Sequence, residues 1–192
     1  MKFTVLSTSL DPESRSRWMA RLAAGQLRAD GHSVTLLDLR ETPLPLFDNA
    51  DCYVHPAAEI YHRSIREADG VFLAVPVYNW GLGAGAKSLV ELTGSTDPGR
   101  GLHGAWFDRP VTFLVSGGLA HGYLSHGAFA FGLMTDFRCV VNPHFVYATG
   151  AEWAADGVPG EALAQRLART VERGVDLSAR LQGRSYRSVW EV

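Results

Sequence analysis

Hydroxyl side chains crowd the stretch that follows the first apolar run: Ser7, Thr8, Ser9, Ser14 and Ser16, with Arg15 and Arg17 interleaved. Hydroxyls can donate to an anion that has several acceptor oxygens, a phosphate above all. The apolar run before them, Phe3 to Leu6, is too short for a helix and rich in strand-favouring residues. After them, Trp18, Leu22 and Leu27 return at roughly helical spacing, which predicts a helix with those residues in the core. A loop that runs into a helix start presents unpaired N–H groups and the positive end of the helix dipole to an anion. The dipole alone contributes only about 0.3–1 kcal/mol per exposed charge, so the hydroxyls, Arg15 and Arg17 must add to it. The plainer alternative is that Ser14 or Asp11 caps the helix and the other serines solvate a loop.

Two further loops have the composition of ligand contacts. Residues 76–85, PVYNWGLGAG, follow the continuous apolar run 70–75, and residues 116–123 follow VTFLV at 111–115. Runs of that kind suit strands buried on both faces. A second strand is expected at 33–39 and a fifth at 144–149. Helices are expected at 56–69, 86–92 and 128–137, with a long final helix carrying Leu163, Leu167, Val171 and Val175 at i, i+4 steps. Strands alternating with helices predict an α/β fold, a doubly wound five-stranded parallel sheet with helices on both faces. Ligands in such sheets bind beyond the strand carboxyl ends, where strand order reverses. All three loops lie at strand carboxyl ends, and their convergence favours the anion site over the simple cap.

Composition excludes several function classes. Hydrophobic residues make up 46% of the 192 and charged residues 20%, the balance of an ordered domain. A net charge of −2 gives no general attraction to nucleic acid or to anionic membrane. The arginines after Gly160 alternate with Glu161, Glu172 and Asp176, which reads as a solvated helix face. Cys52 and Cys139 have neither a CxxC nor a metal spacing and suit a reducing compartment. No apolar run approaches membrane-spanning length and the first residues lack a signal-peptide core, so the expected location is cytoplasmic. Residues 1–182 are expected to form one domain, with 183–192 as a tail.

The ordered set LSTSLDPESRSR, ADGVFLAVPVYNWGLGAGAKSLVELTG and FLVSGG resembles the NADPH-dependent FMN reductase family of flavodoxin-like proteins. The branch that supplies reduced flavin to two-component monooxygenases is the nearest in pattern. In that family the first loop runs Gly-Ser-x-Arg-x-x-Ser-x-Ser and the second runs Pro-x-Tyr-Asn to Gly-x-Leu-Lys. The resemblance covers residues 3–150. It implies that Ser9, Ser14 and Ser16, with Arg15 adjacent, hold the FMN phosphate. It implies that Pro76, Val77, Tyr78 and Asn79 border the ribityl chain and the isoalloxazine ring. Ser116, Gly117 and Gly118 would approach the pyrimidine end, and His121 would contact flavin or substrate. The implied activity is hydride transfer from NADPH or NADH to FMN, with reduced flavin released or a quinone, azo dye or oxygen reduced next. No catalytic side chain and no metal are implied, because the cofactor carries the chemistry. A homodimer or homotetramer and a flavin-dependent monooxygenase partner are implied as well. Two residues depart from the pattern: Thr8 stands at the family's glycine and Asp11 at its arginine. These departures keep open an alternative, a flavodoxin-like electron carrier that does not oxidise a nicotinamide nucleotide.

Rival motifs are weaker. Gly81 to Ala86 fits G-x-G-x-x-A, but Pro76 to Trp80 separates it from the strand end that this fingerprint requires. Ser116-Gly117-Gly118 nears the hydrolase elbow but lacks its first glycine. The pairs His121/His126 and His55/His62 lack ligand spacing and read as solvated or core histidines. Trp106, Phe107 and the prolyl loop 42–47 suit either a subunit contact or local packing.

Overall fold

A computed structural model describes residues 1–154 and 157–183. Strands β1 (Lys2–Ser7), β2 (Ser33–Asp38), β3 (Gly70–Tyr78) and β5 (Pro110–Ser116) pair in parallel in the order β2-β1-β3-β5. Along β3 and β5 the side chains alternate between two cores, as the two-residue strand period requires. Val71, Leu73, Val75, Val111, Phe113 and Val115 face one side, and Phe72, Ala74 and Leu114 face the other. The first core lies beneath α2 (Pro56–Arg66), α3 (Ala84–Gly94) and α4 (Gly127–Phe137). The second lies beneath α1 (Arg15–Ala29) and α5 (Glu161–Leu181). This is the doubly wound arrangement expected from the strand and helix order.

The sheet has seven strands rather than five. The expected fifth strand is split into β6 (Val140–Val141) beside Pro110–Val111 and β7 (Val146–Ala148) beside Leu114–Ser116. Pro143 lies in the gap and has no N–H to give to a ladder. Asn142 takes over, bonding the Thr112 hydroxyl with its side chain and receiving the His144 N–H. The other addition is β4 (Gly81–Leu82), which folds back antiparallel on Val77–Tyr78. β3 therefore runs three residues beyond the apolar run that announced it.

Helix α1 turns a different face inward from the one its large residues suggested. Met19, Ala20, Ala23, Ala24 and Leu27 are buried, whereas Leu22 is 42% exposed and Trp18 is half-buried against Trp153. Alanines let the helix lie close to the sheet, where Phe3 and Phe72 from β1 and β3 supply the bulk. Trp106 and Phe107 pack locally. The Trp106 ring is fully buried and its Nε1–H donates to Thr93 Oγ1 at 2.7 Å. Of the prolyl loop, Leu44 and Phe47 pack against the protein while Leu46 remains 82% exposed. Among the described residues no helix is long and apolar enough to cross a membrane. The solvated arginines Arg184 and Arg187 lie outside the described residues.

β1 lies between β2 and β3, so the chain reverses its direction of travel across the sheet there. That switch leaves a crevice beyond the carboxyl ends of β1 and β3, and the loop after β5 closes its far side.

Candidate active site

The loop after β1 is shaped by a buried guanidinium. Arg17 Nε donates to Asp38 Oδ2 at 2.5 Å and Nη2 to Asp38 Oδ1 at 3.3 Å. The remaining donors reach the backbone oxygens of Ser9 at 2.9 Å, Asp11 at 2.6 Å and Pro12 at 3.0 Å. Both residues are buried, and all the donors of the planar fork are used. Arg17 therefore does not face an anion beside Arg15, as its sequence position suggested. It fixes the backbone of the loop from below, and its partner Asp38 is a buried acid at the end of β2.

Ser14 caps α1: its backbone is extended and its Oγ accepts from Arg17 N–H at 3.3 Å. The cap and anion readings are thus compatible, because the Ser14 and Ser16 hydroxyls also meet at 2.8 Å beside the first-turn N–H groups. Thr8 takes the family's glycine position without strain. Its φ is not positive, and its N–H and Oγ1 both bond the Ala74 carbonyl. Space for it comes from α3, where a Cβ on Gly85 would sit 2.6 Å from the Thr8 carbonyl oxygen. Asp11 Oδ1 accepts from Glu13 N–H at 3.0 Å, which holds that carboxylate on its own loop.

Ser14, Arg15 and Ser16 form one wall of a cavity of about 110 Å³. Pro76, Val77 and Tyr78 from the end of β3 form the second wall, and Ser116, Gly117 and Gly118 the third; Asp11 and Glu13 are at the rim. A second cavity of about 290 Å³ shares Val77 and Gly118 and adds Asn79 and His121. Of the candidate residues, only Ser9 lines neither. It is buried beneath the loop, where its Oγ accepts from Asp11 N–H.

The second cavity also contains Trp80, Leu119 and Gly122, which lie in the two loops expected to contact a ligand, and Tyr147, which the sequence did not nominate. Asn79 and Trp80 have φ of 48° and 65°, the doubly left-handed turn that a two-residue hairpin loop requires. Asparagine tolerates that backbone, but tryptophan there is an outlier costing roughly 1–3 kcal/mol. The indole is 66% exposed and lies 5.0 Å from the His121 ring, tilted by 31°. Tyr147 donates its hydroxyl to Leu119 O at 2.5 Å, and burial followed by the nearby Glu152 charge raises its pKa. His126 is a core histidine. It packs 4.1 Å from Phe145 and 5.2 Å from Phe113, and burial lowers its pKa.

Gly117 is required by a close approach, because a Cβ there would overlap the Tyr147 hydroxyl. Gly117→Ala is expected to destabilise the protein by about 1–3 kcal/mol. Adding Tyr147→Phe should recover part of that loss, measured as the midpoint of urea unfolding. No recovery would show that the backbone, not the hydroxyl, limits the site.

The arrangement suits FMN on structural grounds. Hydroxyls and first-turn amides at one end match a phosphate. At the other end lie Gly117 and Gly118, with open space where a Gly118 side chain would be, and an exposed indole for a flat ring. Among the described residues no group of His, Cys, Asp or Glu is placed to hold a metal ion.

Comparison with known proteins agrees. The family model for NADPH-dependent FMN reductase matches residues 1–154. An NADPH:quinone oxidoreductase of Arabidopsis thaliana is 25% identical over 195 residues, spanning 96% of this chain and 95% of its own. Among solved structures, FerB, a flavoenzyme NAD(P)H:(acceptor) oxidoreductase from Paracoccus denitrificans, superposes with a TM-score of 0.74. It is 17% identical and the match covers 93% of this chain and 97% of FerB. Flavodoxin 1 of Bacillus cereus superposes with a TM-score of 0.63 at 13% identity, over 92% of this chain and 98% of its own. Likenesses at those identities establish the flavodoxin-like fold, while the family match separates reductase from electron carrier. The chain belongs to the NADPH-dependent FMN reductase family and is an oxidoreductase that works with FMN and a reduced nicotinamide nucleotide.

Proposed function

We propose that FMN lies across the two adjoining cavities, its phosphate on the β1 loop and its ring between the loops after β3 and β5. The observation that carries this reading is that eleven of the twelve candidate residues, from three separate loops, line the two cavities that meet at Val77 and Gly118 (nine in the first, plus Asn79 and His121 in the second). Ser14 and Ser16 donate to the phosphate, Arg15 balances its charge, and Ser9 supports the loop from beneath. Gly118 lets a backbone N–H reach the polar edge of the ring, while the Gly117 N–H is held by the Ala148 carbonyl at 3.0 Å. Val77 and Tyr78 hold its apolar edge, and His121 and Trp80 limit where a second planar molecule can lie. When bound, FMN accepts hydride from the nicotinamide and passes the electrons on. The chain's part is to bind, orient and exclude water, and no side chain here is assigned a proton-transfer role.

A small planar acceptor suits the second cavity, so a quinone or an azo compound is the proposed substrate class, with release of reduced flavin to a monooxygenase as the variant use. A cytoplasmic homodimer or homotetramer completes the proposal. The test is steady-state turnover with NADPH on a panel of quinone and azo acceptors, alongside gel filtration of the FMN-loaded protein. Retained FMN with acceptor turnover supports the quinone or azo role. Loss of FMN on the column, with turnover only when free FMN is supplied, supports flavin release. Turnover with neither contradicts both.

A further inference from the structure

Beyond the two site cavities, a groove of about 530 Å³ runs between α5 and the segment that carries β7. Arg166, Arg169 and Arg173 all line it, at i, i+3 and i+7 along one face of the helix. The helix rise sets that row over roughly 10 Å, long enough to engage two separate phosphoryl groups. The alternating charges of the sequence suggested a neutral solvated face, but no carboxylate lines the groove among the described residues. Arg166 is partly committed: it bonds Glu152 at 2.6 Å and the Tyr147 carbonyl at 3.3 Å. Arg169 and Arg173 make no ion pair among the described residues.

The opposite wall is aromatic. Tyr123 is half exposed, lies 4.8 Å from Phe145 and stands edge-on to Tyr147 at 5.9 Å. Tyr147 lines both this groove and the second site cavity, so one residue borders the two spaces. Guanidinium groups with no ion pair among the described residues, beside a half-exposed aromatic ring and next to a residue of the second site cavity, form the recognition set for a phosphorylated nucleoside.

We propose that this groove holds the adenosine end of the reduced nicotinamide nucleotide, with Tyr123 against the adenine and Arg169 and Arg173 on its 2′-phosphate. The arginine pair then favours NADPH over NADH. The inference rests on the oxidoreductase reading, and a binding measurement tests it independently of turnover. Calorimetry on the FMN-loaded protein at low salt would compare 2′,5′-ADP with 5′-AMP, in the wild type and in Arg169→Gln/Arg173→Gln.

Wild type should bind 2′,5′-ADP about tenfold more tightly than 5′-AMP, and the variant should lose the difference. Arg169→Lys/Arg173→Lys should restore part of it, because a point charge keeps the attraction and loses the fork geometry. In turnover the ratio of KM for NADPH to KM for NADH should rise about tenfold in the glutamine variant. Equal binding of the two nucleotides by wild type, or an undiminished preference in the variant, overturns the assignment. So does a change in oligomeric mass by light scattering with 2′,5′-ADP binding intact, which would mark the groove as a contact between copies. If wild type oxidises neither NADPH nor NADH yet binds 2′,5′-ADP through these arginines, the groove assignment stands and the oxidoreductase reading falls.

Discussion

Asp38→Ala is expected to lower the midpoint of thermal unfolding by about 10 °C, the largest stability effect of any single change considered. The substitution leaves the Arg17 guanidinium buried with its main charge partner gone. Breaking a buried pair from one side costs about 3–5 kcal/mol. In a protein of this length each kcal/mol corresponds to roughly 2–4 °C. A second variant separates stability from shape. Arg17→Met/Asp38→Leu removes both charges, and apolar replacements of buried pairs are often close to neutral. It should recover part of the lost stability. It should not recover FMN affinity, because the backbone oxygens of Ser9, Asp11 and Pro12 lose the donors that fix the loop. Scanning calorimetry and an FMN titration on the same samples decide the matter. FMN affinity at wild-type level in the double variant would show that the loop holds its shape without the guanidinium.

Ser14→Ala/Ser16→Ala should weaken FMN binding by roughly a hundredfold or more. Hydrogen bonds to a charged group contribute about 1.5–3 kcal/mol each, and two donors are lost together. Ser14 also caps α1, so the same variant should lose roughly 1 kcal/mol of stability. The two effects differ in kind. The Ser14→Gly variant keeps most of the cap's value to the helix while removing the hydroxyl, so it should lose affinity with little change in unfolding. Fluorescence quenching of FMN gives the affinities. Unchanged affinity in the double alanine variant would place the phosphate elsewhere.

What the sequence made legible follows from physics that acts over short stretches. β1, β3 and β5 are runs of apolar, β-branched residues, and strands buried on both faces leave little else that such runs can do. The three site loops could be placed because each lies at the end of such a run. The split of the fifth strand depended on how Pro143 and Asn142 resolve a pairing across the sheet, a long-range matter that local pattern does not carry. The inward face of α1 was misjudged because size was read as burial: Leu22 is large and exposed, whereas Ala20, Ala23 and Ala24 are small and fully buried. Arg17 looked like a second cation for an anion site. Only its placement opposite Asp38, 21 residues away, turns it inward. Trp80 lay in a loop flagged for ligand contact, but Tyr147 was invisible as a site residue. Trp80 owes its place to a left-handed turn, and Tyr147 to the second half of a strand that the structure splits in two. The row of arginines on α5 was legible as a pattern, but the groove lined without carboxylates among the described residues was not.

The central claim is that this chain passes electrons from a reduced nicotinamide nucleotide to FMN held at the β1, β3 and β5 loops. The most direct test is to load the purified protein with FMN, remove oxygen, add NADPH and follow the visible flavin band. The account predicts that the band bleaches on adding NADPH and returns on admitting air, and that Ser14→Ala/Ser16→Ala abolishes this at FMN concentrations that saturate the wild type. A wild-type band that stays unchanged with both NADPH and NADH, with FMN demonstrably bound, would contradict it.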